Sequence, residues 1–227
     1  GDGSIAVEAL TRWYGGEALG ALPVLGTAPD FPLRETLSGL MICRGDASAV
    51  LQALASIHGT CDEILIGVDG SKGLDEWLWK KITAEFPKVT HFPLSKLPLR
   101  DGFDAARNEV LDRCKGDWIL WLDSDEEFAY AERLKRFLRA NCYHAYAISQ
   151  HHVSLEPPGK LRTDMPARVF RNGIGLRFFG LVHEHPCFSA KEGPTQVMLL
   201  HDGIAVWHPG YVTEQTRRAR FARSTAG

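Results

Sequence analysis

The sequence lacks several features that would set it apart from ordinary globular proteins. No apolar run approaches the ~20 residues that a membrane-spanning helix needs, and the first residues, Gly-Asp-Gly-Ser, lack the charged and apolar regions of a signal peptide. Neither charge is in excess, since 26 Lys and Arg stand against 28 Asp and Glu for a formal net charge of −2. This balance excludes a global positive field that would recruit nucleic acid or anionic lipid. From the missing apolar run, we expect a protein without a membrane span.

Cysteine is scarce and irregularly placed. The five cysteines are odd in number, widely spaced and never arranged as CxxC. This pattern argues against a disulfide framework and a zinc site and predicts buried free thiols, which favours a reducing compartment and a cytoplasmic location. The composition is otherwise average, with 44% hydrophobic and 24% charged residues, as in a folded globular domain.

A regular alternation of apolar runs and amphipathic segments begins at Leu37. Uninterrupted apolar runs indicate strands buried on both faces, and the segments between them repeat their apolar residues at helical spacing. The helix after the second run is predicted to bury Leu74, Trp77, Leu78, Ile82 and Phe86. The predicted fold class is therefore α/β, a mainly parallel sheet flanked by helices, and its first four strands are Leu37–Cys43, Glu63–Asp69, Val89–Phe92 and Asp117–Leu122.

The rhythm changes after about residue 141, where strand-like runs follow one another and a helix is predicted only at Tyr211–Arg223. We expect a more mixed second half, with strands near Tyr143–Val153, Ala167–Phe170, Leu176–Val182 and Val197–Val206. Residues 1–36 are broken by glycine and proline and are interpreted as an extension of unknown role, which leaves residues 37–227 as the main domain.

Acidic residues follow three of the predicted strands, at the edge where open parallel sheets bind their ligands. The first strand is followed by Asp46, the second ends in Asp69, and the fourth runs into Asp123-Ser-Asp125-Glu-Glu. Clustered carboxylates repel one another unless a cation lies among them. In an extended segment Asp123 and Asp125 would project toward one point. The pattern predicts a site for Mg²⁺ or Mn²⁺, with a solvated acidic loop as the alternative.

Seven segments together carry a family resemblance. They are Leu37–Arg44, Asp62–Ser71, Asp101–Asn108, Gly116–Glu126, Ala167–Asn172, Phe179–Glu184 and Trp207–Tyr211. In this order they resemble the family 2 glycosyltransferases, inverting enzymes with the GT-A fold, over roughly residues 37–223. The chain is most similar to a cytoplasmic branch whose members often carry helical repeats after the catalytic domain. Gly45-Asp46 stands where the family usually has Asn-Glu.

The resemblance implies a nucleotide-sugar-binding half at residues 37–127 and an acceptor-side half with a C-terminal helix at residues 128–227. It implies that Asp123 faces the donor ribose and the metal, that Asp125 is a metal ligand, and that His208 completes the metal shell, with His201 as an alternative. The other donor-binding residues that it implies are Arg44, Asp46, Asp69, Asp101, Arg107 and Ser124. An ion pair on a helix surface is the competing explanation for Arg107.

The resemblance also implies a general base. Glu184 matches the carboxylate that takes the acceptor proton in related enzymes, and Asp164 and Asp202 are its rivals. His183 is expected to be an orienting or structural partner. Three other histidines have no matching role and are expected at the surface or in the core, namely His151, His152 and His185.

The resulting hypothesis is a metal-dependent inverting glycosyltransferase, which by resemblance moves a hexose from a UDP-linked donor to an acceptor in a single displacement. The acceptor stays open among a glycan, a lipid-linked sugar, a protein side chain and a modified DNA base. One alternative is a nucleotidyltransferase, although the Gly-rich phosphate loop of such enzymes is missing from residues 43–50. The other is a catalytically inactive module that binds sugar nucleotides.

Overall fold

The computed structural model describes residues 35–43, 47–70, 76–138, 143–152, 162–180, 184–189, 191–194 and 196–208. Most of the predicted extension and the predicted helix Tyr211–Arg223 lie outside these residues, so the domain boundaries stay predictions. Thr36 contacts the sheet, because the Asp117 carboxylate accepts hydrogen bonds from the Thr36 backbone N–H at 2.8 Å and from its hydroxyl at 2.7 Å. Within the described residues, we find no helix that is long and apolar enough to cross a membrane.

The first half alternates strands and helices, as predicted. Its elements are β1 (Leu37–Cys43), α1 (Ala47–Ile57), β2 (Glu63–Val68), α2 (Glu76–Glu85), β3 (Val89–Pro93), α3 (Pro98–Asp101), α4 (Phe103–Leu111) and β4 (Trp118–Trp121). The strands lie in the order β3-β2-β1-β4, and each pair is parallel. The register places Gly39 of β1 between Ile64 of β2 and Leu120 of β4.

Helices cover both faces of this parallel region. Every residue of β1 is buried, and alternate side chains enter different cores: Met41 packs with residues of α1 and α2, whereas Leu40 packs with residues of α4. Helix α4 lies very close to the sheet, since a Cβ added at Gly67 of β2 would be only 2.7 Å from a methyl group of Val110. The predicted α/β class, with a parallel sheet covered on both sides, is confirmed.

The predicted buried face of α2 is wrong at Trp77. This side chain is 64% exposed, whereas Trp79 is buried and stacks on His91 of β3 with ring centroids 4.2 Å apart. Leu78 and Ile82 are buried as predicted. At 3.6 residues per turn, the five-residue step from Trp77 to Ile82 separates the two by about 140°, so they cannot share one face.

The second half contains more strands and less helix. Its elements are β5 (Glu127–Ala129), a 3-10 helix (Ala131–Arg136), β6 (Ala145–His152), β7 (Arg162–Asp164), β8 (Ala167–Arg171), β9 (Arg177–Phe179), β10 (His185–Cys187) and β11 (Val197–His208). The described sheet has nine strands, with β8, β6, β11 and β5 continuing from β4 and with β7 paired to β6. Strands β9 and β10 form a separate antiparallel pair. The more mixed character predicted for this half is confirmed.

Strand direction brings distant parts of the chain to one edge of the sheet. Strand β8 is antiparallel to both β4 and β6, and β11 is parallel to β6. Two reversals restore the original direction, so β4, β6 and β11 all point their carboxyl ends the same way. The loop after β4 and the ends of β6 and β11 therefore meet at the edge where ligands bind in sheets of this type.

The prediction of buried free thiols holds in part for the described cysteines, since Cys43 and Cys61 are buried whereas Cys114 and Cys187 are partly exposed. Cys61 and Cys114 are free thiols, and burial raises the pKa of each to about 12. Both are therefore protonated and unreactive at neutral pH. Their role is to pack within the cores beside β1 and α4.

Candidate active site

The acidic segment after β4 is a turn and does not continue the strand. Strand β4 ends at Trp121, and Ser124 and Asp125 form the turn. The prediction that Asp123 and Asp125 project to one side of an extended segment is therefore wrong, because the two-residue alternation holds only within a strand. Each carboxylate instead contacts a different part of the protein.

Asp123 belongs to a buried group of charges, here called the arginine cluster, formed by Arg107, Asp123 and Glu184. The Nη2 group of Arg107 donates to Asp123 Oδ1, and its Nε group donates to Glu184 Oε1. The Arg107 side chain is 3% exposed and that of Glu184 is 6% exposed. The alternative of a surface ion pair for Arg107 is therefore wrong: this cation is buried between two carboxylates 61 residues apart in sequence.

Helix α4 positions Arg107 through its neighbours. The side chain of Asn108 exchanges two hydrogen bonds of 2.9 Å with the backbone of Phe178 in β9, which ties the helix to the segment that leads to Glu184. The guanidinium carbon of Arg107 lies 4.7 Å from the centroid of the Trp121 ring, where cation–π attraction also favours it. The arginine cluster is thus held from α4, β4 and β9.

The arginine cluster fixes the charge of Asp123. Burial opposes ionisation of this carboxyl, but the nearby Arg107 and Arg168 guanidinium groups and the hydrogen bond from Arg107 outweigh it and lower the pKa of Asp123 to about 2. Although burial opposes it, the two carboxylates raise the pKa of Arg107 above its ordinary value. At neutral pH the cluster therefore carries one positive and at least one negative charge, and Asp123 stays an acceptor.

A second buried ion pair, between Glu126 and Arg168, holds the turn in place, and we did not predict it. Glu126 accepts a hydrogen bond from the backbone N–H of Asp123 at 2.9 Å and, at 2.6 Å each, from Gln150 Nε2 and Arg168 Nη2. The guanidinium carbon of Arg168 lies 3.9 Å from the Trp121 ring centroid. Burial, with the nearby Asp123 charge, raises the pKa of Glu126 against the opposing effect of Arg168. The only signal in the sequence is an acid placed directly after the predicted metal pair.

Asp125 lies near His208, the second residue that the resemblance implied for the metal shell. The Oδ2 atom of Asp125 lies 3.7 Å from Nε2 of His208 at the end of β11. Two ligands of a cation bound at about 2.1 Å lie about 3 Å apart when adjacent and about 4 Å apart when opposite, so this pair can share one ion. A carboxylate and an imidazole also suit Mn²⁺. Within the described residues, however, no group of three His, Cys, Asp or Glu side chains is already arranged to hold a metal.

His208 is part of a row of polar contacts across three strands. Its Nδ1 atom lies 3.2 Å from Nδ1 of His152 in β6, and Nε2 of His152 lies 2.9 Å from Oδ2 of Asp164 in β7. Gln150 Nε2 is 3.5 Å from the same Nδ1 atom of His208. His152 is a mostly buried, hydrogen-bonded histidine, which agrees with its expected surface or core position, and its contacts place it next to His208.

The remaining predicted residues differ in what the structure shows. Asp69 follows β2, is buried, and donates its backbone N–H to Cys43 O at 2.9 Å, so it lies at the ligand edge. Asp101 caps its own helix, accepting from the Leu97 N–H at 2.8 Å and pairing with Arg100. Ser124 is partly exposed in the turn. Outside the described positions and side chains are Arg44, Asp46, His183, His201 and Asp202.

Relatives of known class match the chain at the sequence level. The family model described as glycosyl transferase family 2 matches residues 39–191, more than half of the chain. A TPR repeat-containing protein of Synechococcus elongatus is 29% identical over 147 residues, which cover 63% of this chain and 34% of the relative. The SPbeta prophage-derived glycosyltransferase SunS of Bacillus subtilis is 23% identical over 197 residues, which cover 81% of this chain and 43% of the relative. The chain thus spans less than half the length of these curated relatives.

Solved structures show the same fold at low sequence identity. S. aureus TarS 1–349 matches with a TM-score of 0.55 and 12% identity, covering 77% of this chain and 60% of that one. Its complex with UDP-GlcNAc matches with a TM-score of 0.56 and 14% identity, covering 80% and 60%. The likeness confirms the predicted GT-A architecture, and the family model gives the assignment: the chain belongs to glycosyl transferase family 2.

Proposed function

We propose that this protein is a metal-dependent, inverting glycosyltransferase that moves a hexose from a UDP-linked donor to an acceptor that stays open among a glycan, a lipid-linked sugar, a protein side chain and a modified DNA base. The observation that carries the proposal is the arrangement at the ligand edge, where the arginine cluster joins Asp123 to Glu184 and the next acid, Asp125, faces His208. In this proposal one sheet edge would supply a carboxylate for the donor, the cation ligands and the base. Membership of the family fits this chemistry.

The donor class is supported by the fold. S. aureus TarS, which shares the architecture, has been solved in complex with UDP and with UDP-GlcNAc. In the present chain, Asp69 and Asp123 follow β2 and β4 at the same edge, where we place the nucleoside and its ribose. Arg44, Asp46, Asp101 and Ser124 stay predicted members of this donor site.

The divalent cation, Mn²⁺ or Mg²⁺, would be held by Asp125 and His208 together with Asp123. When bound, such a cation neutralises the negative charge that develops on a leaving diphosphate. The protein's own contribution is positional: Glu126 accepts the Asp123 N–H and keeps the turn in place, so that both aspartates present their oxygens at the edge.

Glu184 would take the proton of the acceptor. Arg107 binds Glu184 through Oε1, and this ion pair would hold the carboxylate in place for the acceptor. In the displacement, the acceptor heteroatom forms a bond to the anomeric carbon, the bond from that carbon to the diphosphate oxygen breaks with its electron pair, and the acceptor proton moves to Glu184. One displacement inverts the anomeric centre and needs no covalent intermediate. Asp164, its rival, already contacts His152.

The test uses slow hydrolysis of the donor, because the acceptor is not known. The protein is incubated with a panel of nucleotide sugars, with Mn²⁺ or with EDTA, and nucleotide release is recorded. We expect UDP-hexoses to be cleaved. The Glu184→Gln variant should cleave them at least about 100-fold more slowly than the unchanged protein. The sugar that forms first should have the inverted anomeric configuration by NMR.

A matched control is Glu192→Gln, which alters an exposed carboxylate elsewhere in the second half. It should keep the full rate. If no nucleotide is released from any of the donors under any condition, the result would support the inactive binding module. If diphosphate forms from a nucleoside triphosphate and a sugar phosphate, the result would support the nucleotidyltransferase. Either result would contradict the proposal.

A further inference from the structure

We infer that His152 and Asp164 are positioning residues that hold the proton of His208 on Nδ1 and turn its Nε2 lone pair toward Asp125. This inference deepens the proposed function and rests on it in one respect, namely that the Nε2 lone pair serves to bind the metal. The position of the proton can be tested without any metal. Neither residue is among those that the resemblance implied for the metal site. The observation is a continuous line of polar contacts from Asp164 to Asp125.

The sheet builds this line by placing three neighbouring strands in register. His208 of β11 is the direct partner of His152 in β6. Asp164 of β7 is the partner of Gln150, two residues before His152, and therefore lies diagonally from His152 on the same face of the sheet. The pairing of β7, β6 and β11 thus brings a carboxylate and two imidazoles together, although the residues are up to 56 positions apart.

The chemistry of the groups fixes the order of the protons. An ionised carboxylate only accepts hydrogen bonds, so the His152 Nε2 atom that lies 2.9 Å from Asp164 must carry a proton. A neutral His152 then has its lone pair at Nδ1, and at 3.2 Å this atom accepts the N–H of His208 Nδ1. His208 consequently keeps its own lone pair at Nε2, the atom that faces Asp125.

The groups around His208 favour the same order. Gln150 Nε2 is 3.5 Å from Nδ1 of His208, but it donates to Glu126 Oε1 at the much shorter distance of 2.6 Å. Glu126 Oε1 lies 3.9 Å from Nδ1 of His208 and Asp125 Oδ2 lies 3.7 Å from Nε2, so the charges of the two carboxylates oppose one another, and the hydrogen-bond distances decide the proton position. On the other side, Asp125 is 3.7 Å from Nε2, beyond hydrogen-bond reach, whereas His152 is within it.

Histidine ligands of metals usually donate their second ring nitrogen to a fixed acceptor, which sets the tautomer and the ring orientation. The arrangement found here supplies such an acceptor from a second histidine, itself oriented by a carboxylate. Asp164 therefore has a structural position that differs from its predicted role as a rival base.

The experiment measures proton position first and binding second. Long-range ¹H–¹⁵N NMR of histidine-labelled, metal-free protein at neutral pH reports the tautomer of His208, and calorimetry with MnCl₂ and UDP reports affinity. We expect the Nδ1–H tautomer in the unchanged protein. His152→Phe should lose this preference and weaken Mn²⁺-dependent UDP binding by about 10–100-fold. His152→Asn, whose side-chain oxygen can take the place of Nδ1 as the acceptor, should recover most of the affinity.

The matched control is His151→Asn in the same strand. His151 points to the other face, where it contacts Thr163 and lies against Trp207, so this variant should match the unchanged protein in both measurements. An Nε2–H tautomer of His208, or full affinity in His152→Phe, would overturn the inference. The Nδ1–H tautomer in a protein that binds no Mn²⁺ with UDP would support the inference and overturn the proposed metal site, so the two failures can be told apart.

Discussion

Asp123 and Asp125, two residues apart, lie in environments that differ in their charged neighbours. Asp123 belongs to the arginine cluster, whose three charges are already in contact and mostly buried. Asp125 is partly exposed, and its Oδ2 atom lies 3.7 Å from Nε2 of His208. The comparison teaches that two acids so close in sequence can differ in burial and in charged neighbours, with Asp123 next to the buried Arg107 and Asp125 next to His208. The first should matter for stability and the second for binding.

The largest expected effect is on folding, from removal of the shared cation. Arg107→Met leaves Asp123 and Glu184 facing each other with no positive charge between them, and breaking a buried pair in this way costs about 3–5 kcal/mol. Urea unfolding measures the loss. The control Arg177→Met breaks the exposed ion pair with Asp112 and should cost about 1 kcal/mol or less. Equal losses in the two variants would show that the cluster is not a buried support.

The second effect should appear in activity and leave stability almost unchanged. Asp125→Asn removes a charge from a partly exposed residue, so we expect the free energy of unfolding to change by less than about 1 kcal/mol. Metal-dependent donor hydrolysis should fall by about 100-fold or more, because stabilisation of the leaving group is lost. The surface variant Asp112→Asn should change the free energy of unfolding by no more than about 1 kcal/mol and should leave donor hydrolysis unchanged. A large loss of stability in Asp125→Asn would remove the distinction between the two acids.

A smaller loss of stability is expected when the ion pair between Glu126 and Arg168 is broken. Glu126→Gln replaces a carboxylate that accepts three hydrogen bonds with an amide that presents a donor to one of those partners, at a cost of about 1–3 kcal/mol. Unfolding and donor hydrolysis should both decline, since the N–H of Asp123 loses its fixed acceptor. Glu127→Gln alters the exposed neighbour and should leave both unchanged. If only stability declined, Glu126 would support the fold without positioning the aspartates.

The smallest expected effect is the loss of stability at acidic pH through Asp123. The pKa of Asp123 is lowered to about 2 from an ordinary value of about 3.9, so the folded state holds this group ionised where the unfolded state protonates it. Its contribution to stability is complete above about pH 4 and is lost as the pH falls toward about 2. The difference in unfolding free energy between the unchanged protein and Asp123→Asn should therefore shrink over this range. A difference that stays constant with pH would show that the ion pair with Arg107 is not formed.

The fold could largely be predicted because its signals are local. Uninterrupted apolar runs located the strands β1 to β4, and the predicted alternation with helices holds in the structure. Trp77 was misplaced because its spacing from Ile82, about 140° around the helix, was overlooked, and the stacking of Trp79 on His91 shows which tryptophan lies on the buried face. The short strands β5 and β7, with three residues each, carry too little pattern to be found.

The site could be predicted only in part, because its contacts depend on strand order. The resemblance pointed to Arg107, Asp123, Glu184 and His208 one at a time, but not to the fact that one guanidinium would join two of them. Glu126, Arg168 and His152 were missed since their partners lie on strands distant in sequence. That β8 lies between β4 and β6 is a property of the whole sheet, and no local pattern reports it.

The central claim is that Asp125 and its neighbours bind a nucleotide through a divalent cation. The most direct measurement is a calorimetric titration of UDP into the protein with Mn²⁺, into the protein with EDTA, and into the double variant Asp123→Asn/Asp125→Asn with Mn²⁺. We predict that UDP binds at least about 10-fold more tightly to the unchanged protein with Mn²⁺ than in either other case. Equal affinity in all three titrations would contradict the account.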